Sequence, residues 1–168
     1  NYGHRLLQEK LEPGRRPVII SSEVEAEGTK IMLDTLGDRF EMTDWTSPMM
    51  CKFTAGDVTY EPHSVDQTNR ICRGDNIVSI VKPAIGGYTT ELERTMFVGE
   101  PSTEQREYFD IMAEAQDLAI ETIAPEVEYA AVEEVVREYF QEQGIAEHAK
   151  HHVGHNIGLE GHERPFLD

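Results

Sequence analysis

Two pairs of helix signals, separated by short strand-like segments, constrain the fold of this chain more than any other feature. The second pair is the clearer one. Ser102 and Gln105 form a capping-box pattern directly after Pro101, which predicts a helix that runs to about Thr122. Apolar residues recur along one side of this helix at Phe109, Met112, Ala115, Ala119 and Ile123.

A further helix is predicted between Pro125 and Gly144. Proline interrupts a helix because it lacks the backbone N–H donor, and glycine is common just beyond a helix end. The apolar stripe of this helix consists of Val132, Val135, Val136, Tyr139 and Phe140. The last third of the chain is therefore predicted to be a helix pair.

The front of the chain repeats this plan. A helix over Tyr2–Leu11 is predicted to end at Pro13-Gly14. A second capping-box pattern, at Ser22–Glu25, predicts the start of a helix that continues to Leu36, with Gly37 as its terminator.

Short apolar segments of β type lie between the two helix pairs. They are Met49–Thr54, Ile77–Val81 and Arg94–Gly99, and glycines mark the turns around them. The order of elements predicts an α+β fold. The pattern leaves open whether the chain has two related halves, with the second half incomplete, or whether the two helix pairs are similar by coincidence.

The charge of the chain limits its partners. The sequence has 168 residues, 32 acidic against 15 basic side chains, and a net charge of −17. Such a surface repels nucleic-acid phosphates and anionic lipids, so neither a nucleic-acid nor a membrane partner is expected. An acidic surface adapted to high salt, where screening weakens self-repulsion, is favoured over a patch built for a cationic partner.

The two cysteines, Cys51 and Cys72, are too few for a disulfide framework or a zinc knuckle. No apolar run approaches the roughly 20 residues of a membrane span, and no signal peptide is visible, although the chain starts at Asn1 rather than at methionine. Free thiols in the cytoplasm are therefore expected.

A histidine-rich segment, HHVGHNIGLEGHERPF, occupies residues 151–166. Its three glycines favour an extended, closely packed backbone over a helix. In a strand, His151 and His155 would point to the same side. Imidazoles at such positions can bind zinc, iron or manganese, or can move protons near neutral pH. A histidine-rich loop without function is the alternative.

A second candidate segment is YTTELERT, residues 88–95. In a strand, Glu91 and Glu93 share one side and Leu92 takes the other. Two buried carboxylates repel each other unless a cation or a histidine intervenes, whereas a solvent-facing edge would need neither. A third candidate is His63, in the loop sequence YEPHS, although a single loop histidine usually has no function.

Taken in order, these segments resemble the pita-bread superfamily, which includes methionine aminopeptidase, aminopeptidase P, prolidase and the metal-free enzyme creatinase. HHVGHNIGLEGHERP resembles the HGxGHxxGLxxHE signature of the prolidase branch, and GDNIVSIVKPAIGGYTTELERTMFVGEPSTEQRE resembles the central hairpin and third helix. The spacing from His63 to Gly74-Asp75, and on to Glu93-Arg94-Thr95, matches creatinase.

The resemblance covers essentially the whole chain and implies the α+β pita-bread fold, with two pseudo-symmetric halves around a curved antiparallel sheet. Residues 1–168 would then be one incomplete catalytic domain that lacks its C-terminal part, with no second domain.

For the peptidases, the resemblance implies a dinuclear metal site formed by two hairpin aspartates, one histidine and two later glutamates. The histidine corresponds to His155 and the second aspartate to Glu91, whereas Ile80 stands at the first aspartate position. The two glutamates would lie beyond Asp168. The resemblance therefore implies at most one divalent ion (Mn, Co, Fe or Zn) on Glu91 and His155, or no metal.

The resemblance to creatinase implies a metal-free alternative, in which a histidine shuttles protons and glutamates bind a guanidinium group. These roles fall on His63 and Glu93, with Arg94 beside them as a carboxylate or hairpin anchor. Thr89 stands where creatinase has a tyrosine, so creatine is not the first expected substrate.

We therefore expect a hydrolase that cleaves a C–N bond in a small molecule or dipeptide, with prolidase-like activity on Xaa-Pro substrates ranked first. The expected catalytic residues are His63, Glu93 and His162. The expected substrate-binding residues are His151, His162 and Arg94. A metal-free amidinohydrolase and an inactive binding module are the alternatives, and a homodimer is implied by the resemblance alone.

Overall fold

The computed structural model describes residues 2–42, 48–64 and 66–167. Within these residues the chain forms four α-helices and six β-strands. The chain divides into two compact units. Unit 1 comprises residues 1–101 and 158–161, and unit 2 comprises residues 102–157 and 162–168.

Unit 1 is a pair of helices on an antiparallel sheet. The helices are α1 (Tyr2–Lys10) and α2 (Pro17–Leu36). The strands are β1 (Met49–Ala55), β2 (Asn76–Ile85), β3 (Tyr88–Thr89) and β4 (Leu92–Phe97). β2 lies between β1 and β4 and also pairs with the short β3 at its far end.

The sheet of unit 1 has a helix-covered face and an open face. Ile77, Ser79 and Val81 alternate along β2 and are buried. Both helices pack on this side, because a Cβ at Gly3 of α1 would lie 2.6 Å from Val81 Cγ1, and one at Gly28 of α2 would lie 2.7 Å from the Met49 side chain. Residues of even number in β2 therefore lie on the open face.

The core of unit 1 forms between the helices and the helix-covered face. Its largest fully buried hydrophobic side chains are Leu7, Ile20, Val24, Phe53, Ile71 and Ile77. Each such side chain contributes about 1.5–3 kcal/mol when it leaves water. This burial holds the sheet against the two helices.

Unit 2 is built from α3 (Thr103–Thr122), α4 (Tyr129–Glu142) and a small antiparallel sheet of β5 (Gly154–Asn156) and β6 (Glu163–Leu167). The two helices pack through Ala115, Ala119, Val132, Val136 and Tyr139, which are buried together. The Tyr139 hydroxyl donates a 2.6 Å hydrogen bond to Glu114 Oε2. This hydrogen bond raises the pKa of Tyr139 to about 12.

The predicted start of α3 is confirmed. The capping box of α3 is present, since Gln105 N donates to Ser102 Oγ at 3.1 Å and Ser102 N donates to Gln105 Oε1 at 2.8 Å. The predicted stripe of α3 is found only in part, because Met112 and Ile123 are 44% and 57% exposed.

None of the described helices is long and apolar enough to cross a lipid bilayer.

The predicted start of α2 at Ser22 is wrong. The helix begins at Pro17, with Arg16 as the N-cap, so Ser22 lies inside it. Proline at the first helical position is favourable because its fixed φ suits a helix and its missing N–H would have no partner there. The Ser22 hydroxyl donates instead to the Val18 carbonyl, one turn back, at 3.0 Å.

Candidate functional site

The open face of unit 1 carries the hairpin residues that the sequence singled out. Glu93 of β4 lies opposite Ile80 of β2, and directly opposed residues of antiparallel strands share a face. Leu92 lies opposite Val81, on the helix-covered side. Glu91 precedes β4, and its carboxylate reaches the open face, as its contact with Lys82 shows. The two glutamates thus share one side, as predicted.

Lys82 forms an ion pair with Glu91 on this face. Lys82 Nζ lies 3.2 Å from Glu91 Oε2, and the two side chains are only 19% and 10% exposed. Lys82 was not among the predicted site residues. A signal was present in the sequence, because Lys82 directly follows the apolar run IVSIV in a chain that has few lysines.

The loop of residues 158–161 closes over the hairpin of unit 1. Thr89 N donates to the Gly158 carbonyl at 2.7 Å. The Thr89 hydroxyl lies 3.0 Å from the Gly158 carbonyl oxygen and 3.1 Å from that of Glu160. Gly161 lies against Lys82, since a Cβ at this glycine would be 1.5 Å from Lys82 Nζ. A side chain at position 161 would therefore displace the ammonium group.

The structure gives Arg94 a different environment from Glu93. Arg94 lies opposite Ser79, whose hydroxyl donates to the Arg94 carbonyl at 2.9 Å, so its side chain is on the helix-covered side. There it borders a groove with His4 and Met96. Its guanidinium also donates to the Glu93 carbonyl at 2.6 Å. This position favours the predicted role as a hairpin anchor over contact with substrate.

His63 lies in the loop that follows β1. It is exposed and adopts a φ of 59°, which is uncommon for a residue other than glycine. The Ser64 N–H closes this turn on the Glu61 carbonyl at 3.1 Å. The catalytic role predicted for His63 stays a prediction.

The histidine-rich segment brings several imidazole rings together within unit 2. The His155 and His162 ring centroids are 4.1 Å apart, and those of His151 and His152 are 3.9 Å apart. The His152 ring stacks on Phe166 of β6, with 5.0 Å between the ring centroids. The contact between His155 and His162 was not predicted. The predicted shared side of His151 and His155 required both to lie in one strand, whereas His151 lies before β5 and is exposed.

The His155 ring is held in a defined orientation. Its Nδ1 lies 3.0 Å from the Asn156 carbonyl oxygen, which can only accept a hydrogen bond. In the neutral ring, Nδ1 therefore carries the proton and Nε2 carries the lone pair. This is the tautomer that can accept a proton or bind a metal through Nε2.

Glu133 of α4 anchors the histidine segment and was also missed by the sequence predictions. Its side chain is buried, and Glu133 Oε2 accepts the Val153 N–H at 2.8 Å. Glu133 also pairs with Arg137, one turn further along the helix. The signal in the sequence was the position of Glu133, directly after Val132 of the predicted apolar stripe. A charged side chain at the edge of a buried stripe needs a partner.

A cavity of about 420 Å³ lies beside His155 in unit 2. Ile123, Val127, Tyr129 and Leu167 contribute to its wall. A volume of this size falls in the range of small-molecule sites, roughly 300–1,000 Å³. The arrangement of unit 2 can therefore accept a small, partly apolar ligand next to an imidazole.

Comparison with known protein families and structures identifies the family of the chain. The sequence model of metallopeptidase family M24 matches residues 2–168. The chain belongs to this family. Among curated relatives, the Xaa-Pro dipeptidases of Pyrococcus furiosus and Pyrococcus horikoshii are each 36% identical, over 106 and 104 residues. These alignments cover 63% and 62% of this M24 chain and 30% of each relative.

Solved structures agree with this assignment. The prolidase from Pyrococcus furiosus matches with a TM-score of 0.82 and 27% identity, covering 99% of this chain and 46% of the prolidase chain. The X-Pro aminopeptidase from Thermotoga maritima matches with a TM-score of 0.84 and 26% identity, covering 99% and 44%. The M24 chain thus spans less than half of these structures, and the predicted pita-bread fold is confirmed.

Proposed function

We propose that this protein is a hydrolase that cleaves the C–N bond of Xaa-Pro dipeptides. The observation that carries the proposal is the similarity to Xaa-Pro dipeptidases in both sequence and fold. The chain spans 30% of the length of the two Xaa-Pro dipeptidases from Pyrococcus. Their activity therefore comes to this protein as a proposal.

The proposed chemistry assigns the orientation of the substrate to histidines and to the open face. His63 and His162 would orient the dipeptide, and they are also the expected catalytic histidines, since an imidazole changes charge near neutral pH. Glu93 would bind the cationic group of the substrate from the open face. His151 would contact substrate together with His162, and Arg94 would hold the hairpin rather than the substrate.

The hairpin residues do not fit a dinuclear metal site. Ile80 has no donor atom at the position of the first aspartate, and the Lys82 ammonium already lies 3.2 Å from Glu91 Oε2. The remaining donors, the Glu91 carboxylate and the His155 imidazole, have the chemistry for at most one Mn, Co, Fe or Zn ion. We therefore assign no reaction step to a metal.

A second candidate function is metal-free hydrolysis of a guanidino compound. It is favoured by Ile80 and by the Lys82–Glu91 ion pair, which place a hydrocarbon and an ammonium group where metal chemistry would need ligands. In this case His63 would be the acid–base residue and Glu93 the anchor for the guanidinium. An inactive binding module remains the third possibility.

Partners and location belong to the same proposal. The expected partner is a dipeptide or another small molecule, together with a second copy of the protein in a homodimer. We expect no nucleic-acid or membrane partner, because the net charge is −17. We expect the protein in the cytoplasm, because its two cysteines are too few for a disulfide framework.

The test uses the full-length protein, purified without a histidine tag. Turnover of Xaa-Pro dipeptides and of guanidino compounds, creatine among them, would be measured after dialysis against Mn, Co, Fe or Zn, and metal content by mass spectrometry. Glu93→Gln should lower kcat/KM by about 100-fold, as expected for loss of a charged substrate contact. Glu100→Gln, which removes an exposed carboxylate after the end of β4, should have no effect.

The outcomes separate the candidates. Turnover of Xaa-Pro dipeptides supports the first function. Cleavage of a guanidino compound but not of dipeptides supports the second, and no turnover of either class of substrate supports the binding module.

A further inference from the structure

Lys82 places a positive charge beside Glu91, the carboxylate to which the family resemblance assigns a metal ion. Lys82 Nζ lies 3.2 Å from Glu91 Oε2, and solvent reaches only 19% of the lysine and 10% of the glutamate side chain. Attraction between opposite charges is stronger where water is largely excluded. The carboxylate therefore already has a counter-ion that belongs to the chain.

The backbone around this pair keeps the ammonium in place. A Cβ at Gly161 would lie 1.5 Å from Lys82 Nζ, 2.7 Å from its Cε and 3.9 Å from Glu91 Oε2. The loop that contains Gly161 is fixed to Thr89 by hydrogen bonds to Gly158 and Glu160. Lys82 thus lies between a carboxylate and a closely packed glycine backbone, not on an open surface.

A divalent ion and the Lys82 ammonium would compete for Glu91. A divalent ion such as zinc binds a carboxylate oxygen at about 2.0–2.2 Å. An ammonium group 3.2 Å from the same oxygen would then lie within a few ångströms of a second positive charge. Because the Gly161 backbone closes one side of the ammonium, metal binding at Glu91 would require the lysine to move away.

We propose that Lys82 is the resident counter-ion of Glu91 and takes the place of a divalent ion there. Glu91 then contributes to tight metal binding only when the ammonium is removed or displaced. A lysine ammonium has three donors and a single charge, so it can hold an anionic group but cannot generate a metal-bound hydroxide. The inference deepens the proposed function, on which it rests for the identity of the site, and predicts metal-independent chemistry at this carboxylate.

Metal titration of the full-length protein tests the proposal without any measurement of turnover. Binding of Mn²⁺ would be followed by calorimetry, and binding of Co²⁺ by its visible absorption. Lys82→Met should bind both ions at least about tenfold more tightly than the wild type. Adding Glu91→Gln to this variant should remove the gain, because the freed carboxylate is the proposed ligand.

Two further variants keep the test decisive. Gly161→Ala should also tighten metal binding, because the added methyl group displaces the ammonium without removing its charge from the protein. Gly161 does not have a positive φ, so alanine is compatible with its backbone. Lys30→Met is the matched control, since it removes one positive charge from an exposed position on α2 and should leave metal affinity unchanged.

The proposal is overturned if Lys82→Met and Gly161→Ala both bind Mn²⁺ and Co²⁺ within about twofold of the wild type. It is also overturned if the wild type holds one ion tightly and loses it on Glu91→Gln. Failure of the proposed hydrolase activity would leave these binding results unaffected, so the two outcomes are distinguishable.

Discussion

Replacement of Glu133 by alanine is expected to loosen the histidine segment from α4. The side chain is 7% exposed, Glu133 Oε2 accepts the Val153 N–H at 2.8 Å, and the carboxylate also pairs with the half-exposed Arg137. A hydrogen bond to a charged group contributes about 1.5–3 kcal/mol and an i,i+4 ion pair about 0.3–0.5 kcal/mol. We expect Glu133→Ala to lower the free energy of unfolding by about 2–3.5 kcal/mol.

Urea unfolding followed by circular dichroism measures this loss, and hydrogen exchange at the Val153 amide locates it. Two variants serve as controls. Glu133→Gln keeps an acceptor for Val153 and should cost about 1 kcal/mol, whereas Arg137→Ala should cost no more than about 0.5 kcal/mol. Unchanged exchange at Val153 in Glu133→Ala, or an equal cost for Arg137→Ala, would refute the reasoning.

Three more predictions concern thiol reactivity, pH and salt. Burial raises the pKa of the Cys51 thiol to about 12. A thiol reagent at about pH 8 should therefore modify only the exposed Cys72 until urea is added. Modification of both cysteines in the folded protein would contradict this prediction. Burial lowers the pKa of His4 below 6.5, and the nearby Arg94 guanidinium lowers it further. As the pH falls, the imidazole of His4 therefore binds a proton in the unfolded state before it does so in the folded state. Urea unfolding should therefore show that the free energy of unfolding declines as the pH falls below 6.5. In His4→Phe this decline should be smaller, and an unchanged decline would argue against this role of His4. Because the net charge is −17, Tm should rise between 0.1 M and 1 M KCl, as the Debye length falls from about 10 Å to about 3 Å. A Tm that is independent of salt would contradict the high-salt interpretation.

Local signals predicted the elements where one interaction decided the boundary. The capping box at Ser102 and Gln105 is found with both hydrogen bonds, because its partners are only three residues apart. The similar pattern at Ser22–Glu25 did not mark a helix start, because Pro17 begins the helix earlier and its first turn is already satisfied. Two local signals competed, and only the folded chain shows which one determined the boundary.

The face of Arg94 could have been predicted from the sequence. Strand alternation separates Arg94 from Glu93, and the register opposite Ser79 agrees with that separation. The family resemblance instead suggested a place beside the substrate. The residue's neighbours in the groove, His4 and Met96, depend on how α1 packs on the sheet, which no local pattern contains.

The sequence by itself determined the order of the four helices and of the strands between the two helix pairs, the α+β class and the sharing of one side by Glu91 and Glu93. These properties depend on caps, turns and periodicities of a few residues, which are local. The tertiary structure alone decided that Lys82 neutralises Glu91 under the Gly161 backbone and that Glu133 holds the Val153 amide. Such contacts require strand register and loop packing to bring groups together, and a buried charge then stabilises the fold only where a partner has arrived.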